Sequence, residues 1–232
     1  MLSIIIPTLN EEKYLPYLLD SIKEQDFKDY EIIVADADSE DKTSEIAKNY
    51  GCKVVAGGLP GKGRNEGAKV AQGELLLFLD ADTILSSSFL DENLEDFKTR
   101  ELGVASSPLY CKENKIDRVL YGIYNFWMKL SQKFLPQGGQ AILIKKEIHQ
   151  KIKGFDEEIK IGEDNDYIGR AAKFGKFGVL SRFVFASSRR FEQDGRFKVC
   201  LKYNILVGAH ALLLGPVKSD IFKYRFGHYD KD

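Results

Sequence analysis

Leu75-Leu76-Leu77-Phe78-Leu79-Asp80-Ala81-Asp82 is the stretch on which the architecture turns. Five apolar residues end abruptly in two carboxylates separated by one small residue. So short an unbroken apolar run suits a strand buried on both faces, as in a parallel sheet covered by helices. Open sheets of that kind bind ligands beyond the carboxyl ends of their strands. Asp80 and Asp82 then stand where a hard cation and a diphosphate can meet. Mg²⁺ takes one or two carboxylates and leaves its other positions to water and phosphate oxygens. By itself the pattern also fits a helix cap, since Asp after a strand commonly plays that part.

Upstream, residues 2–6 form an apolar, β-branched run that Pro7 breaks, which predicts a first buried strand. Asn10-Glu11-Glu12 reads as the opening of a helix reaching about Gln25, with Leu15, Leu18, Leu19 and Ile22 on one face. Residues 31–35 read as a second strand ending at Asp36, residues 41–50 as a helix and residues 52–56 as a third strand. A flexible glycine-rich loop at 57–63 then leads into a helix near 65–71. This alternation predicts an α/β fold with a mostly parallel sheet.

Downstream the pattern is less regular. Residues 104–110 read as a strand, and 115–134 as a long helix crowded with Tyr121, Tyr124, Phe126, Trp127 and Met128. A strand at 140–144, a helix at 162–174 opened by acidic residues, and one or two strands within 177–186 follow. The apolar stretch 199–217 nearly has transmembrane length, but Lys202, Asn204 and His210 interrupt it. A core helix or an interfacial membrane helix suits it better than a spanning one.

The chain has 232 residues and a net charge of −1, the size of one large domain with or without an appendage, and it does not point to a nucleic-acid polymer as partner. The charge is uneven: residues 182–232 hold ten Lys and Arg against five Asp and Glu. Such a basic segment suits phosphates or anionic lipid, or is an ordinary solvated surface. Cys52, Cys111 and Cys200 are far apart, and His149, His210 and His228 equally so, which argues against a disulfide framework and a zinc site. The opening run lacks a basic leader and cleavage site, so a cytoplasmic location is expected.

Three further motifs carry chemistry. The loop Gly57-Gly58-Leu59-Pro60-Gly61-Lys62-Gly63 invites comparison with a phosphate-binding P-loop, but Ala56 takes the place of the first glycine and Gly63 that of the hydroxyl residue. What remains is a loop in which Lys62 and Arg64 could meet a nucleotide edge or phosphate. In Gly162-Glu163-Asp164-Asn165-Asp166, three carboxylates in four positions repel one another, which raises pKa and favours a base. Acids that complement a helix N-terminus explain one or two of them as well. Arg189-Arg190 can clamp a diphosphate by bidentate hydrogen bonds, or lie solvated at the surface.

Together these motifs run in a recognisable order. Ile4-Ile5-Ile6-Pro7-Thr8-Leu9-Asn10-Glu11, the phrase from Glu31 through Asp36, Ser39 and Asp41 to Thr43, and Arg64-Asn65-Glu66-Gly67-Ala68 lead to the Asp80-Ala81-Asp82 turn. Gly154-Phe155-Asp156-Glu157 and Gly162-Glu163-Asp164 follow. Over roughly residues 2–180 the chain resembles the family 2 glycosyltransferases of GT-A fold, and less firmly their dolichyl-phosphate-sugar-synthase-like branch.

The resemblance implies a GT-A catalytic domain over 1–198, with a nucleotide-binding half to about 110, an acceptor half over 111–198, and a C-terminal amphipathic segment over 199–232. It implies that Pro7, Thr8 and Glu11 line a nucleoside pocket, that Asp36 meets the base or ribose, and that Lys62, Arg64 and Asn65 help close it. Asp80 and Asp82 would contact ribose and Mg²⁺ or Mn²⁺ beside the sugar diphosphate, and Arg189 and Arg190 the diphosphate. Asp164 matches the family's catalytic base, with Glu163 as its neighbour. Ala37-Asp38 stands where two small residues are common, which leaves the donor base open between UDP- and GDP-linked sugars.

The expected activity is metal-dependent, inverting sugar transfer to an acceptor. The aromatic-rich helix and the basic C-terminal segment suggest a lipid-linked acceptor met by peripheral membrane contact at the cytoplasmic face, with a soluble acceptor as the alternative. A sugar-1-phosphate nucleotidyltransferase would carry a glycine-rich loop after the first strand, where Pro7-Thr8-Leu9-Asn10 stands. A non-catalytic nucleotide-sugar-binding protein would have no use for Asp80, Asp82 and Asp164 together.

Overall fold

The computed structural model describes residues 1–112, 114–196 and 217–218, leaving aside the side chains of Arg190, Gln193 and Asp194. Its centre is a parallel run of four strands: β1 (Leu2–Thr8), β2 (Tyr30–Asp36), β3 (Lys53–Ala56) and β4 (Leu75–Leu79), in the order β3-β2-β1-β4. Ile4 sits level with Ile32 on one side and Leu77 on the other. β6 (Val104–Ser106), β8 (Ala141–Lys145) and β9 (Phe177–Val179) extend the sheet beyond β4 in the order β8-β6-β9. β8 runs antiparallel to both its neighbours, and β9 is parallel to β6. A second sheet joins β5 (Ile84–Leu85), β10 (Val184–Phe185) and β7 (Leu109–Tyr110) in that order.

Alternation along the central strands explains the two cores, because successive side chains point to opposite faces. Ile4 and Ile6 of β1 and Leu77 and Leu79 of β4 face one core, built with α1 (Leu15–Lys23), α2 (Thr43–Asn49) and α4 (Phe89–Thr99). Ile5, Ile33, Leu76 and Phe78 face the other. There α3 (Pro60–Val70), α6 (Lys146–Lys151) and α7 (Glu163–Ala171) cover the sheet, and Met128 of α5 (Lys115–Ser131) joins them. The short α8 (Arg189–Asp194) follows β10.

Several elements differ from the sequence reading. The first helix begins at Leu15 rather than Asn10, because the backbone there is tied elsewhere. The N–H groups of Asn10, Glu11 and Glu12 donate to Ser39 Oγ, Thr43 Oγ1 and Asp41 Oδ2. The glycine-rich segment is loop only over residues 57–59: α3 starts at Pro60, a residue whose fixed φ suits a first helical position. The run 104–110 is two strands in two sheets, parted at Ser107-Pro108, where proline cannot donate to a ladder. Arg189 and Arg190 belong to α8 rather than to a strand end. Of the segment 199–232, only Val217 and Lys218 are described. Val217 bridges to Ile161, and Lys218 pairs with Asp156 and Glu158. The expectation for the rest of that segment lies outside the described residues. Among the described residues no helix is long and apolar enough to cross a membrane.

Two features of the second core are directly measurable. A Cβ on Gly67 would lie 2.4 Å from Ile5 Cγ2, so α3 rides on β1 at a distance only glycine allows. Gly67→Ala is expected to destabilise by about 1–3 kcal/mol in urea unfolding, despite alanine's better helix propensity. His149 Nδ1 lies 2.7 Å from the buried Tyr167 hydroxyl, and burial pushes its pKa down from 6.5 to about 4. Between those values the unfolded chain binds a proton that the folded chain refuses. Stability linked to His149 is therefore whole above pH 6.5 and falls by about 3 kcal/mol as pH drops to 4. His149→Gln, which leaves Tyr167 a partner, should lose less stability than wild type over the same interval in urea titrations.

Candidate active site

The parallel strands β1, β2 and β4 deliver Thr8, Asp36 and Asp80 to the same edge of the sheet, the carboxyl edge at which such sheets bind ligands. Asp80 stands just past β4, and its carbonyl accepts from the Thr83 N–H and hydroxyl, closing the turn that carries Asp82. From the neighbouring layer, α3 brings Arg64 and the N-terminus of α7 brings Glu163 and Asp164. Gly162 caps α7 with φ +79°, a left-handed conformation that glycine adopts at little cost, and so turns the two acids inward.

Arg64 binds these pieces together. Its side chain is only 4% exposed, and it lies 2.8 Å from Asp80, 3.0 Å from Glu163 and 2.9 Å from Asp164. Its guanidinium also lies 5.2 Å from the Phe155 ring centroid. The third acid, Asp166, turns away to Arg170 at 2.7 Å. The crowding expected of the acidic triplet is thus relieved by two arginines, and mutual repulsion does not govern this corner. Tyr124 of α5 is half-buried and close enough to Asp164 for both burial and that charge to push its hydroxyl pKa up.

A second arginine makes a matching cluster. Arg189 lies 3.1 Å from Glu11 and 3.0 Å from Asp82, and its guanidinium stacks 3.9 Å above the Tyr14 ring. Glu11 is the perturbed carboxylate of the site: burial, opposed by Arg189 and reinforced by Asp82 and Asp80, raises its pKa from 4.5 to about 7. Sequence reasoning named Glu11 without that property and missed Tyr14 and Phe155. Phe155 stands inside a motif of the resemblance, but nothing local shows that either ring meets a distant arginine.

The remaining candidates are placed unequally. Pro7 and Thr8 are buried at the end of β1, and Lys62 is exposed on the first turn of α3. Asp36 accepts from Thr8 and Ser39 on one oxygen and from Ser39 N–H and Ser44 on the other, so a nucleobase would compete with four donors. Asn65 does not face the cleft. Both amide hydrogens go to Phe155 O and Glu157, and its oxygen accepts from Phe155 N–H, making it a tie between α3 and the 154–157 turn. Arg190 follows Arg189 in α8, and its side chain lies outside what is described.

Among the described residues no cluster of three or more acidic, histidine or cysteine ligands is assembled for a metal. Asp80 and Asp82 still fit Mg²⁺ or Mn²⁺, because such ions accept two carboxylates when a diphosphate supplies further oxygens. Arg64→Met should remove the cation that Asp80, Glu163 and Asp164 share. The expected loss is about 3–5 kcal/mol in urea unfolding, larger above neutrality than in mild acid, where the carboxylates protonate.

Several known proteins are similar to this chain in sequence or in fold. The poly(ribitol-phosphate) β-N-acetylglucosaminyltransferase TarS of Staphylococcus aureus is 37% identical over 111 residues, covering 40% of this chain and 19% of TarS. The crystal structure of TarS 1-349 superposes with a TM-score of 0.65 at 23% identity, covering 83% of this chain and 62% of that one. TarS 1-349 has also been solved in complex with UDP-GlcNAc. The GalNAc(5)-diNAcBac-PP-undecaprenol β-1,3-glucosyltransferase of Campylobacter jejuni is 32% identical over 130 residues, or 52% of this chain and 42% of that protein. A mannosyltransferase of Pyrobaculum calidifontis, solved with GDP-Man and Mn²⁺, gives a TM-score of 0.64 at 21% identity, covering 79% of this chain and 56% of that one. These structural likenesses establish the GT-A type of fold. The chain spans about a fifth of TarS and under half of the undecaprenol-linked relative. The family model described as Glycosyl transferase family 2 matches residues 3–152, and the chain belongs to that family.

Proposed function

We propose that this chain is a glycosyltransferase that moves a sugar from a UDP- or GDP-linked donor to an acceptor, with inversion at the anomeric carbon. The observation that carries this reading is the convergence of Asp80, Asp82 and Asp164 on one sheet edge, spaced by two arginines. TarS and the mannosyltransferase, which bind UDP-GlcNAc and GDP-Man, support a nucleotide-sugar donor. Residues 1–110 would hold the nucleotide, with Pro7, Thr8, Glu11 and Asp36 around it and Lys62 at the rim. Residues 111–198 would present the acceptor.

In this mechanism Asp164 takes the proton of an acceptor hydroxyl as it attacks from the face opposite the diphosphate. Arg64 positions Asp164 and Glu163 against Asp80, and one displacement inverts the centre. A Mg²⁺ or Mn²⁺ ion on Asp82 and Asp80 would offset the charge developing on the leaving diphosphate. Arg189 and Arg190 suit the same anion, because guanidinium groups match phosphate oxygens in pairs. The acceptor is a lipid-linked phosphate or sugar presented at the cytoplasmic face of a membrane. The name of the undecaprenol-linked relative supports the lipid-linked part of this reading.

Asp164→Asn keeps the side-chain size but removes the basic oxygen. Turnover on a hydroxyl acceptor should fall by roughly 10²–10⁴-fold while donor affinity, read by calorimetry, stays near wild type. Near-wild-type turnover would refute the base assignment. Asp82→Asn should weaken nucleotide-sugar binding in Mn²⁺ far more than in chelator. Equal wild-type affinity under the two conditions would sink the metal role.

A further inference from the structure

Of the thirteen large apolar side chains exposed among the described residues, eight lie between Ile116 and Leu135. Six form a stripe along α5: Ile116, Val119, Ile123, Phe126, Trp127 and Leu130, each more than half exposed, at three- and four-residue steps. Phe134, just past the helix end, is 89% exposed. Steps of three and four place these side chains on one face. The opposite face is committed to the fold. Met128 is buried in the second core, and Asn125 clamps the backbone of Leu109 from both sides.

Charge divides along the same line. Lys115 and Lys129 are exposed on one flank of the stripe, with Lys133 beyond its end. The one acid in α5, Asp117, is fully buried and held by Arg196 at 2.6 and 3.0 Å. The outward side of this helix is therefore apolar and basic, with no negative charge of its own. Globular cores do not leave so regular a stripe uncovered, and a contiguous apolar patch rimmed by polar groups marks an interaction surface. An apolar face bearing tryptophan and phenylalanine beside lysines is the composition of a helix lying in the headgroup plane.

We propose that the exposed face of α5 is the surface by which this protein seats on an anionic lipid bilayer. The inference rests on the lipid-linked acceptor proposed above and specifies where such an acceptor is presented. Tyr124, on the inward side of α5, lies within the electrostatic reach of Asp164. A bilayer against the outward side is then separated from Asp164 by about one helix diameter, roughly 10 Å. An acceptor headgroup rising past α5 reaches the cleft without leaving the membrane.

Trp127 is the only tryptophan in the chain and sits in the stripe, so it reports on the face directly. With mixed phosphatidylcholine–phosphatidylglycerol vesicles, its emission should shift to the blue, acrylamide quenching should fall, and the protein should co-sediment. Added salt should reverse binding, since it screens the lysines. Pairing Phe126→Ser with Leu130→Ser, or Lys129→Glu with Lys133→Glu, should each weaken partitioning about tenfold or more. Both pairs are exposed, so thermal unfolding should stay near wild type.

Co-sedimentation that leaves Trp127 open to quencher would place docking elsewhere and overturn the inference. So would an absence of binding at low salt, or a Trp127 already shielded without vesicles, by another part of the chain or in a concentration-dependent dimer. Nucleotide-sugar thermal shifts are read in parallel. Donor binding without vesicle binding refutes the docking surface alone. Vesicle binding without any donor shift refutes the donor reading and leaves the surface standing.

Discussion

The buried guanidinium of Arg64 is the interaction on which the rest of the site depends. It joins a helix, the end of a central strand and the start of another helix through Asp80, Glu163 and Asp164. Removing such a cation from water is costly, and so is bringing three carboxylates together; each cost is offset only by the other. Arginine suits this position because its charge persists under desolvation and its fork meets several oxygens at once. The three surrounding carboxylates raise its pKa further, against the effect of burial. The geometry of the cleft is therefore set by charge balance as much as by packing.

Arg189 repeats the arrangement across the cleft, so the two aspartates of the turn are held by different arginines: Asp80 by Arg64 and Asp82 by Arg189. That division keeps the pair apart. Arg189 also opens α8, whose Phe191 ring lies 5.5 Å from Tyr121 of α5. Arg196, just beyond, grips Asp117 of the same helix. One short segment thus spans from the donor edge to α5, linking two regions that the main sheet does not join.

What could be read from the sequence was what burial on two faces imposes. The strands β1, β2 and β4 announce themselves by short apolar runs (residues 4–6, 32–35 and 75–79), and the turn at Asp80 and Asp82 follows from where the last run stops. The acids of α7 were visible as a local cluster. Their partner was not, because Arg64 and Glu163 are 99 positions apart and only the folded sheet brings them together. The pairing of Glu11 with Arg189, 178 positions apart, was hidden in the same way. The two-residue strands β5, β7 and β10 are too short to show any period. The start of α1 was misplaced because side chains of the 39–43 loop capture backbone donors that a helix would otherwise leave to water. Asn65 sits in a motif that reads as a ligand contact, yet burial commits its amide to the backbone of Phe155.

The antiparallel β8 has a consequence for how the molecule can be assembled. It lies between β4 and β6, and it arrives only after α5 has been laid down. A chain ending near Tyr110 would leave β4 with an open row of donors and acceptors along a wholly apolar strand. Such an edge is a template for pairing with other chains. The two halves are thus not interchangeable modules: the late strand is the lateral seal of the early sheet. During synthesis, the first half must wait, unsealed, until the second half supplies it.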